Sequence, residues 1–238
     1  MEPPSISQIN RLGDRLRKGQ TTEADLQMLA AYERAFEPSL AHATELVRSI
    51  TQVELAVRPE KSVRSIVRKL QREQTRLSKM QDLAGFRVVV EDIEEQDSLV
   101  AGILATSEGW RLVDRRREPV HGYRAVHLIL QEDRWFVEFQ VRTRLQHLWA
   151  NLSEAWDREL EGQIKYGEGP PDVIKPLGSL SLLIARLEGV PPSHERDQIR
   201  RELMALLASI AGTIALVTEP TAVTNTTITT AEGTKDEA

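Results

Sequence analysis

Five polar side chains within one short stretch have the types and spacing to do chemistry. The stretch, Gly122 to Thr143, reads GYRAVHLILQEDRWFVEFQVRT, two runs of strand-forming residues at 123–131 and 134–142 around a short polar break. That pattern predicts a β-hairpin. Side chains alternate faces along a strand, so Tyr123, Ala125 and His127 share one face while Val126, Leu128 and Leu130 share the other. On the return strand Phe136, Glu138, Gln140 and Arg142 fall together, and Val137, Phe139 and Val141 point the opposite way. One face is therefore continuous core. The other carries a tyrosine, a histidine, a carboxylate, an amide and a guanidinium on adjacent strands. A solvated face needs no such selection, and the set marks a candidate site.

A second set lies upstream. Residues 61–77, KSVRSIVRKLQREQTRL, form an amphipathic helix in which Val63, Ile66, Val67 and Leu70 make the buried stripe. Lys61, Ser65 and Lys69 recur one turn apart on the far side, setting a hydroxyl between two ammonium groups, an arrangement suited to a triphosphate. The wider charge pattern agrees. The 238-residue chain has a net charge of −5, yet residues 58–79 carry eight Lys or Arg against two Glu, and Arg115, Arg116 and Arg117 form a second cluster. Local basic patches in an acidic protein suit a compact polyanion such as a nucleotide better than a long duplex. Asp82 precedes a buried strand, Phe86 to Val90, and reads by itself as a turn cap. Arg87 inside that strand needs a partner or a cleft.

The remaining elements are those that must position these groups. Residues 6–19, a segment capped by Thr22 or Thr21 through Phe36, and a third run past Pro38 to about Val57 read as a helical entry block. A helix at 94–107 and a strand from Gly109 to Asp114 lead to the hairpin. Helices follow at 144–160, 172–188 and 195–217. In the first of them Leu145, Leu148, Trp149, Leu152 and Trp156 fall at core spacing. The last carries an apolar stripe, Leu203, Leu206, Leu207, Ile210, Ile214 and Val217, which either packs on the domain or makes an oligomer contact. The tail from Thr221 is too polar to build a core and is expected to be disordered.

Composition limits the rest. There is no cysteine, hence no disulfide, thiolate metal site or cysteine nucleophile. The five histidines show no metal-ligand spacing. No signal peptide opens the chain, and the apolar run from Leu203 to Val217 is short for a membrane span, so a soluble, cytoplasmic protein is expected.

Four ordered motifs then carry a resemblance. KSVRSIVRKL (61–70), QDLAGFRVVV (81–90), HGYRAVH (121–127) and VEFQVRT (137–143), followed by HLWA (147–150), resemble the synthetase domain of the RelA/SpoT-type alarmone synthetases. The resemblance implies an α+β fold, a mixed sheet of about five strands flanked by helices and related to the nucleotidyltransferases. It divides the chain into an N-terminal helical segment (1–57), a synthetase domain (58–168), C-terminal helices (169–220) and a disordered tail (221–238). The implied activity is a GTP diphosphokinase of the stringent response, moving the β,γ-diphosphate of ATP to the ribose 3′-hydroxyl of GDP or GTP. Asp82 and Glu138 would be catalytic and hold Mg²⁺. Arg58, Lys61, Ser65, Lys69 and Arg87 would bind ATP, with Arg58 and Arg87 stacking on the adenine. Tyr123, His127, Gln140 and Arg142 would bind the acceptor, Tyr123 by stacking on its guanine.

The chain departs from the family pattern before Gly122, where Glu118, Pro119, Val120 and His121 replace the usual Pro-Lys and Asn, so Arg116 or Arg117 is expected to stand in for the acceptor-phosphate lysine. Arg58 lies one residue further from Lys61 than the family spacing. The resemblance is to a small, single-function synthetase, with RNA or an alarmone as admissible regulators and self-association through the C-terminal helices. Two further readings keep their place: the same chemistry directed at the 3′ end of tRNA or at adenosine nucleotides, and a non-catalytic nucleotide- or RNA-binding module.

Overall fold

The computed structural model describes residues 3–57, 61–106, 108–160 and 164–218, the side chains of Lys165 and 211–218 excepted. Three helices come first: α1 (Ile6–Arg17), α2 (Glu23–Arg34) and α3 (Glu37–Arg48). Then follow β1 (Ala56–Val57), α4 (Val63–Glu73), β2 (Ala84–Val90), α5 (Ile93–Thr106), β3 (Trp110–Asp114), β4 (Val126–Glu132) and β5 (Trp135–Thr143). The chain closes with α6 (Arg144–Glu159), α7 (Pro171–Gly189) and α8 (His194–Thr218). This is an α+β architecture around one five-stranded mixed sheet of order β1-β2-β5-β4-β3, with helices at both ends of the chain. Only β2 and β5 run parallel; the other neighbours are antiparallel.

The hairpin forms where the alternation places it. Its register sets Val126 opposite Val141, Leu128 opposite Phe139 and Leu130 opposite Val137, six side chains of the main core. Phe86 of β2 stacks on Phe139 in the same layer, ring centroids 4.6 Å apart. The two-residue turn uses Asp133 at φ 50°, in the left-handed region that aspartate tolerates better than most residues. Beyond it, Trp135 receives Tyr32 and Phe36 at 5.6 and 4.9 Å, which docks the N-terminal helices on the hairpin tip.

Helix ends follow local chemistry. Ser5, Thr22 and Thr143 each close a capping box at the start of α1, α2 and α6, satisfying N–H groups that the first turn leaves open. Thr143 is also the last residue of β5, so the chain turns from central strand into α6 with no intervening loop and lays that helix beside the polar face of the sheet. Pro38 sits in the first turn of α3, where its missing N–H costs nothing.

Three boundaries and the burial of one residue differ from the sequence reading. Helix α3 ends at Arg48 rather than near Val57, and the chain beyond it supplies β1, a two-residue edge strand too short to leave a pattern. Helix α4 stops at Glu73 because Gln74 turns left-handed at φ 50°. Val63, at the helix start, is 38% exposed and does not belong to the buried stripe that Ile66 and Leu70 make. The first hairpin strand begins at Val126, not Tyr123.

The C-terminal stripe packs on the protein itself. Leu203 and Ile210 are buried, and Leu206 and Leu207 are partly so, in a cluster shared with α6 and α7. The side chains of Ile214 and Val217, and the tail from Thr221, lie outside the described residues. Among the described residues no helix is long and apolar enough to cross a membrane.

Candidate active site

The polar face of the hairpin is the floor of a cleft of about 600 Å³. The register that buries Phe139 turns Glu138 and Gln140 the other way, opposite Ile129 and His127. Glu138, Gln140 and Arg142 are all buried, at 7%, 5% and 4% exposure. Buried polar groups usually find partners, and these meet one another in a closed ring through Arg142 Nη2, with Arg142 Nε and Nη1 left without a hydrogen bond among the described residues. Arg142 Nη2 donates to the Tyr123 hydroxyl at 3.1 Å and to Gln140 Oε1 at 2.8 Å. The Tyr123 hydroxyl lies 2.9 Å from His127 Nε2, and His127 Nδ1 lies 3.0 Å from Glu138 Oε1. Gln140 Nε2 donates to Glu138 Oε2 at 2.6 Å.

The ring has a direction. A guanidinium can only donate and an ionised carboxylate only accept. The arm through Gln140 therefore runs from Arg142 to Glu138, and the arm through Tyr123 and His127 runs the same way when the tyrosine hydroxyl donates to Nε2. In that arrangement Nδ1 carries a proton toward Glu138. The two arms meet on Glu138, one at each carboxylate oxygen.

Asp82 enters the same cleft from the segment before β2, with Lys61 Nζ 2.5 Å from Oδ2 and Lys69 Nζ 2.8 Å from Oδ1. Burial pushes its carboxyl up, but the two ammonium groups outweigh that and hold it well below the usual carboxylate range. The lysines flank the carboxylate because Lys69 lies two turns along from Lys61, which precedes the helix cap Ser62. Gly85 brings the two carboxylate segments together: a Cβ there would stand 2.4 Å from the Glu138 carbonyl oxygen, so only glycine permits this approach of β2 to β5.

Of the predicted residues, the cleft gathers Lys61, Lys69, Asp82, Tyr123, His127, Glu138 and Gln140. Arg142 stands behind Gln140 as the origin of the ring, its Cζ 5.2 Å from the centre of the Tyr123 ring. Ser65 is taken up by the helix start, 2.9 Å from the Ser62 hydroxyl. Arg87 pairs in register with Gln140 on the parallel strand. Burial lowers the His147 pKa, and the charges of Arg142 and Arg87 lower it further. Arg58 lies outside the described residues.

Arg116 and Arg117 are not brought to the cleft. Arg116 reaches the opposite side of its loop, bonded to Asp114 at 2.8 Å, Asp97 at 2.7 Å and Gln96 at 3.1 Å, and Arg117 points to solvent with its side chain 86% exposed. Arg115 lines the cleft in their place, with Arg111 and His121. The signal for this is strand parity: Arg111, Val113 and Arg115 alternate on one face, and Arg115 N–H extends the β3–β4 ladder by one bond, to Ala125 O at 2.9 Å. Tyr166, also at the cleft, lies under the Arg72 guanidinium at 3.7 Å and left no mark in the sequence pattern.

Comparison with known proteins gives the class first. Two crystal structures of the small alarmone synthetase 1 from Bacillus subtilis superpose on this fold. The one bound to its product pppGpp gives a TM-score of 0.53 at 24% identity, covering 76% of this chain and 99% of that one. The other gives 0.52 at 23%, covering 77% and 100%. The fold is that of the small alarmone synthetases.

The sequence comparisons then fix the family. The region found in RelA and SpoT proteins matches residues 58–161. An uncharacterised protein of Mycobacterium tuberculosis (strain ATCC 25618 / H37Rv) is 32% identical over 207 residues, 84% of this chain and 75% of its own length. The GTP pyrophosphokinase YjbM of Bacillus subtilis (strain 168) is 26% identical over 166 residues, 63% of this chain and 74% of its own. The chain belongs to the RelA/SpoT family.

Proposed function

We propose that the protein is a pyrophosphokinase that transfers the β,γ-diphosphate of ATP to the ribose 3′-hydroxyl of GDP or GTP, forming AMP and ppGpp or pppGpp. The observation that carries this reading is the directed ring ending on Glu138, set in one cleft with Asp82 and two lysines. Phosphoryl-group transfer asks for positioning and charge neutralisation more than for covalent help. Lys61 and Lys69, now paired with Asp82, are placed to exchange that partner for the donor phosphates. Tyr123 offers its ring to the guanine, and Arg115 offers a charge to the acceptor phosphates.

Glu138 is the general base. It accepts the 3′-hydroxyl proton as O3′ bonds to the β-phosphorus, while the bond from that phosphorus to the α,β-bridging oxygen breaks and AMP leaves. His127 and Gln140 hold the carboxylate by both oxygens and fix its orientation. Asp82 and Glu138 fit Mg²⁺ by donor chemistry: both present hard oxygen ligands, and Asp82 already sits against two positive charges, the electrostatic setting of a divalent ion. Bound there, Mg²⁺ would neutralise charge on the transferring phosphates.

The test is incubation of the full chain with γ-labelled ATP, Mg²⁺ and, separately, GDP, GTP, ATP or bulk tRNA. Label should pass to GDP or GTP, and Glu138→Gln should lower the rate by about 10²–10⁴. Transfer only to tRNA or to adenosine nucleotides, or full activity in the Gln variant, would refute the reading.

A further inference from the structure

The turn that presents Tyr123 is held from a part of the chain outside the matched family region. Between β3 and β4 the loop doubles back at Val120–Tyr123, closed by Tyr123 N–H to Val120 O at 2.9 Å. Its two central residues, His121 and Gly122, have φ of 52° and 88°. A positive φ at both central positions is costly for histidine and free for glycine, so such a turn needs outside support.

That support comes from α7. Ser181, 2% exposed, donates its hydroxyl to the Gly122 carbonyl at 2.6 Å and accepts from Arg124 Nε at 3.1 Å. Arg124 Nη1 in turn donates to the Arg116 carbonyl at 2.6 Å, tying the two limbs of the loop across its base. One serine thus joins both sides. The packing leaves no slack: a Cβ on Gly122 would stand 2.9 Å from the Trp149 ring and 3.3 Å from Ser181 Cβ. Trp149 is itself pinned to α7, its indole N–H donating to Leu177 O at 2.8 Å.

We infer that Ser181, acting with Arg124, is a positioning residue for the nucleotide acceptor, and that α7 sets acceptor affinity by holding the Val120–Tyr123 turn against the cleft. This rests on the pyrophosphokinase reading. Neither residue lines the cleft, so the role assigned to both is positioning. Removing the hydroxyl leaves the Gly122 carbonyl and the Arg124 guanidinium without their shared partner and frees the turn. The Tyr123 hydroxyl then loses its fixed place in the ring, while Lys61, Lys69 and Asp82, on the opposite wall, keep theirs.

The experiment is steady-state kinetics of the full-length wild type, Ser181→Ala and Arg124→Gln, varying ATP and the guanosine nucleotide separately, with thermal unfolding of each. The expected result is a rise of about tenfold in acceptor KM for either variant. The ATP KM should change by less than about twofold, and the double variant should be no worse than the worse single one. Arg124→Gln leaves α7 untouched and answers the question if Ser181→Ala does not fold. Active variants with unchanged acceptor KM would overturn the inference and leave the pyrophosphokinase reading standing. So would equal rises in both KM values accompanied by a matching fall in Tm, the mark of a merely structural role. A wild type that transfers label to no guanosine nucleotide would overturn both.

Discussion

Substituting Gly85 by alanine tests the geometry of the site where it is tightest. The added Cβ would lie 2.4 Å from the Glu138 carbonyl oxygen, 3.3 Å from its carbon and 3.4 Å from its Cβ. Non-bonded heavy atoms are at ease at about 3.5–4.0 Å, so β2 and β5 must part by roughly 1 Å at the residue that carries the proposed base. Overpacking of this kind costs about 1–3 kcal/mol, and alanine returns about 0.5–1 kcal/mol through its stiffer unfolded chain. The net loss of about 0–2.5 kcal/mol corresponds to a Tm fall of up to about 10 °C for a chain of this size. The effect on turnover is expected to be larger, because a misplacement of about 1 Å at a reacting group costs roughly 10²-fold. Gly178→Ala supplies the contrast. It lies in α7 with no atom within 4 Å of the added Cβ, and helix propensity predicts a gain of about 0.5–1 kcal/mol. Differential scanning calorimetry and initial rates of diphosphate transfer read both variants. A Gly85→Ala protein with wild-type Tm and wild-type kcat would refute the close approach, and with it the placement of Glu138.

Three further outcomes follow from the same geometry. Arg115→Ala should raise acceptor KM about tenfold, whereas Arg116→Ala, committed to Asp114 and Asp97 away from the cleft, should leave it within about twofold; the reverse order would refute the strand-parity assignment. Arg142→Lys removes Nη2, the one guanidinium nitrogen that feeds both arms of the ring, and should lower kcat/KM by about 10–100-fold, because the planar group that fixes the directions of its two N–H bonds is lost; wild-type kinetics would show the ring to be incidental. The Asp25 carboxyl, bonded by Arg15 and by the Thr22 N–H, is lowered from 3.8 to about 2. A depressed pKa contributes stability that is present above the unfolded value and lost as pH falls through the folded one. The Tm difference between wild type and Asp25→Asn should therefore be constant above about pH 4 and shrink between pH 4 and pH 2; a difference that persists unchanged at pH 2 would refute the pairing.

The parts of this molecule legible in the sequence are those governed by a short period. Alternation along 126–142 separates Phe139 from Glu138 with no knowledge of the fold, and the pairing of His127 with Gln140 follows once the hairpin closes. The same rule applied one strand earlier distinguishes Arg115 from Arg116, but only when the strand is known to continue past Asp114. Tyr123 belongs to the cleft for a different reason: it is placed by a turn with His121 at positive φ, a conformation that composition does not advertise. The tie from Ser181 to Gly122 spans 59 residues and joins a helix face to a loop, so no local pattern contains it. The two residues of β1 are too few to alternate, and Val63 fits a helical stripe that ends one turn before the core begins.

The position of Glu138 in the sheet bears on which parts of the protein can change independently. Strand β5 is paired along its length with β2 on one side and β4 on the other, so its amides should exchange with solvent only through the largest openings of the molecule. The groups proposed to meet the substrates are hung differently. Lys61 precedes a helix, and Tyr123 sits in a turn before β4 and reaches the sheet through its hydroxyl. The proposed base is thus seated in the sheet, and part of the recognition lies on a helix start and a turn outside it. Under such an arrangement acceptor preference can drift by substitution in the turn, or in the α7 face that holds it, while the base and the ladder that carries it stay in place.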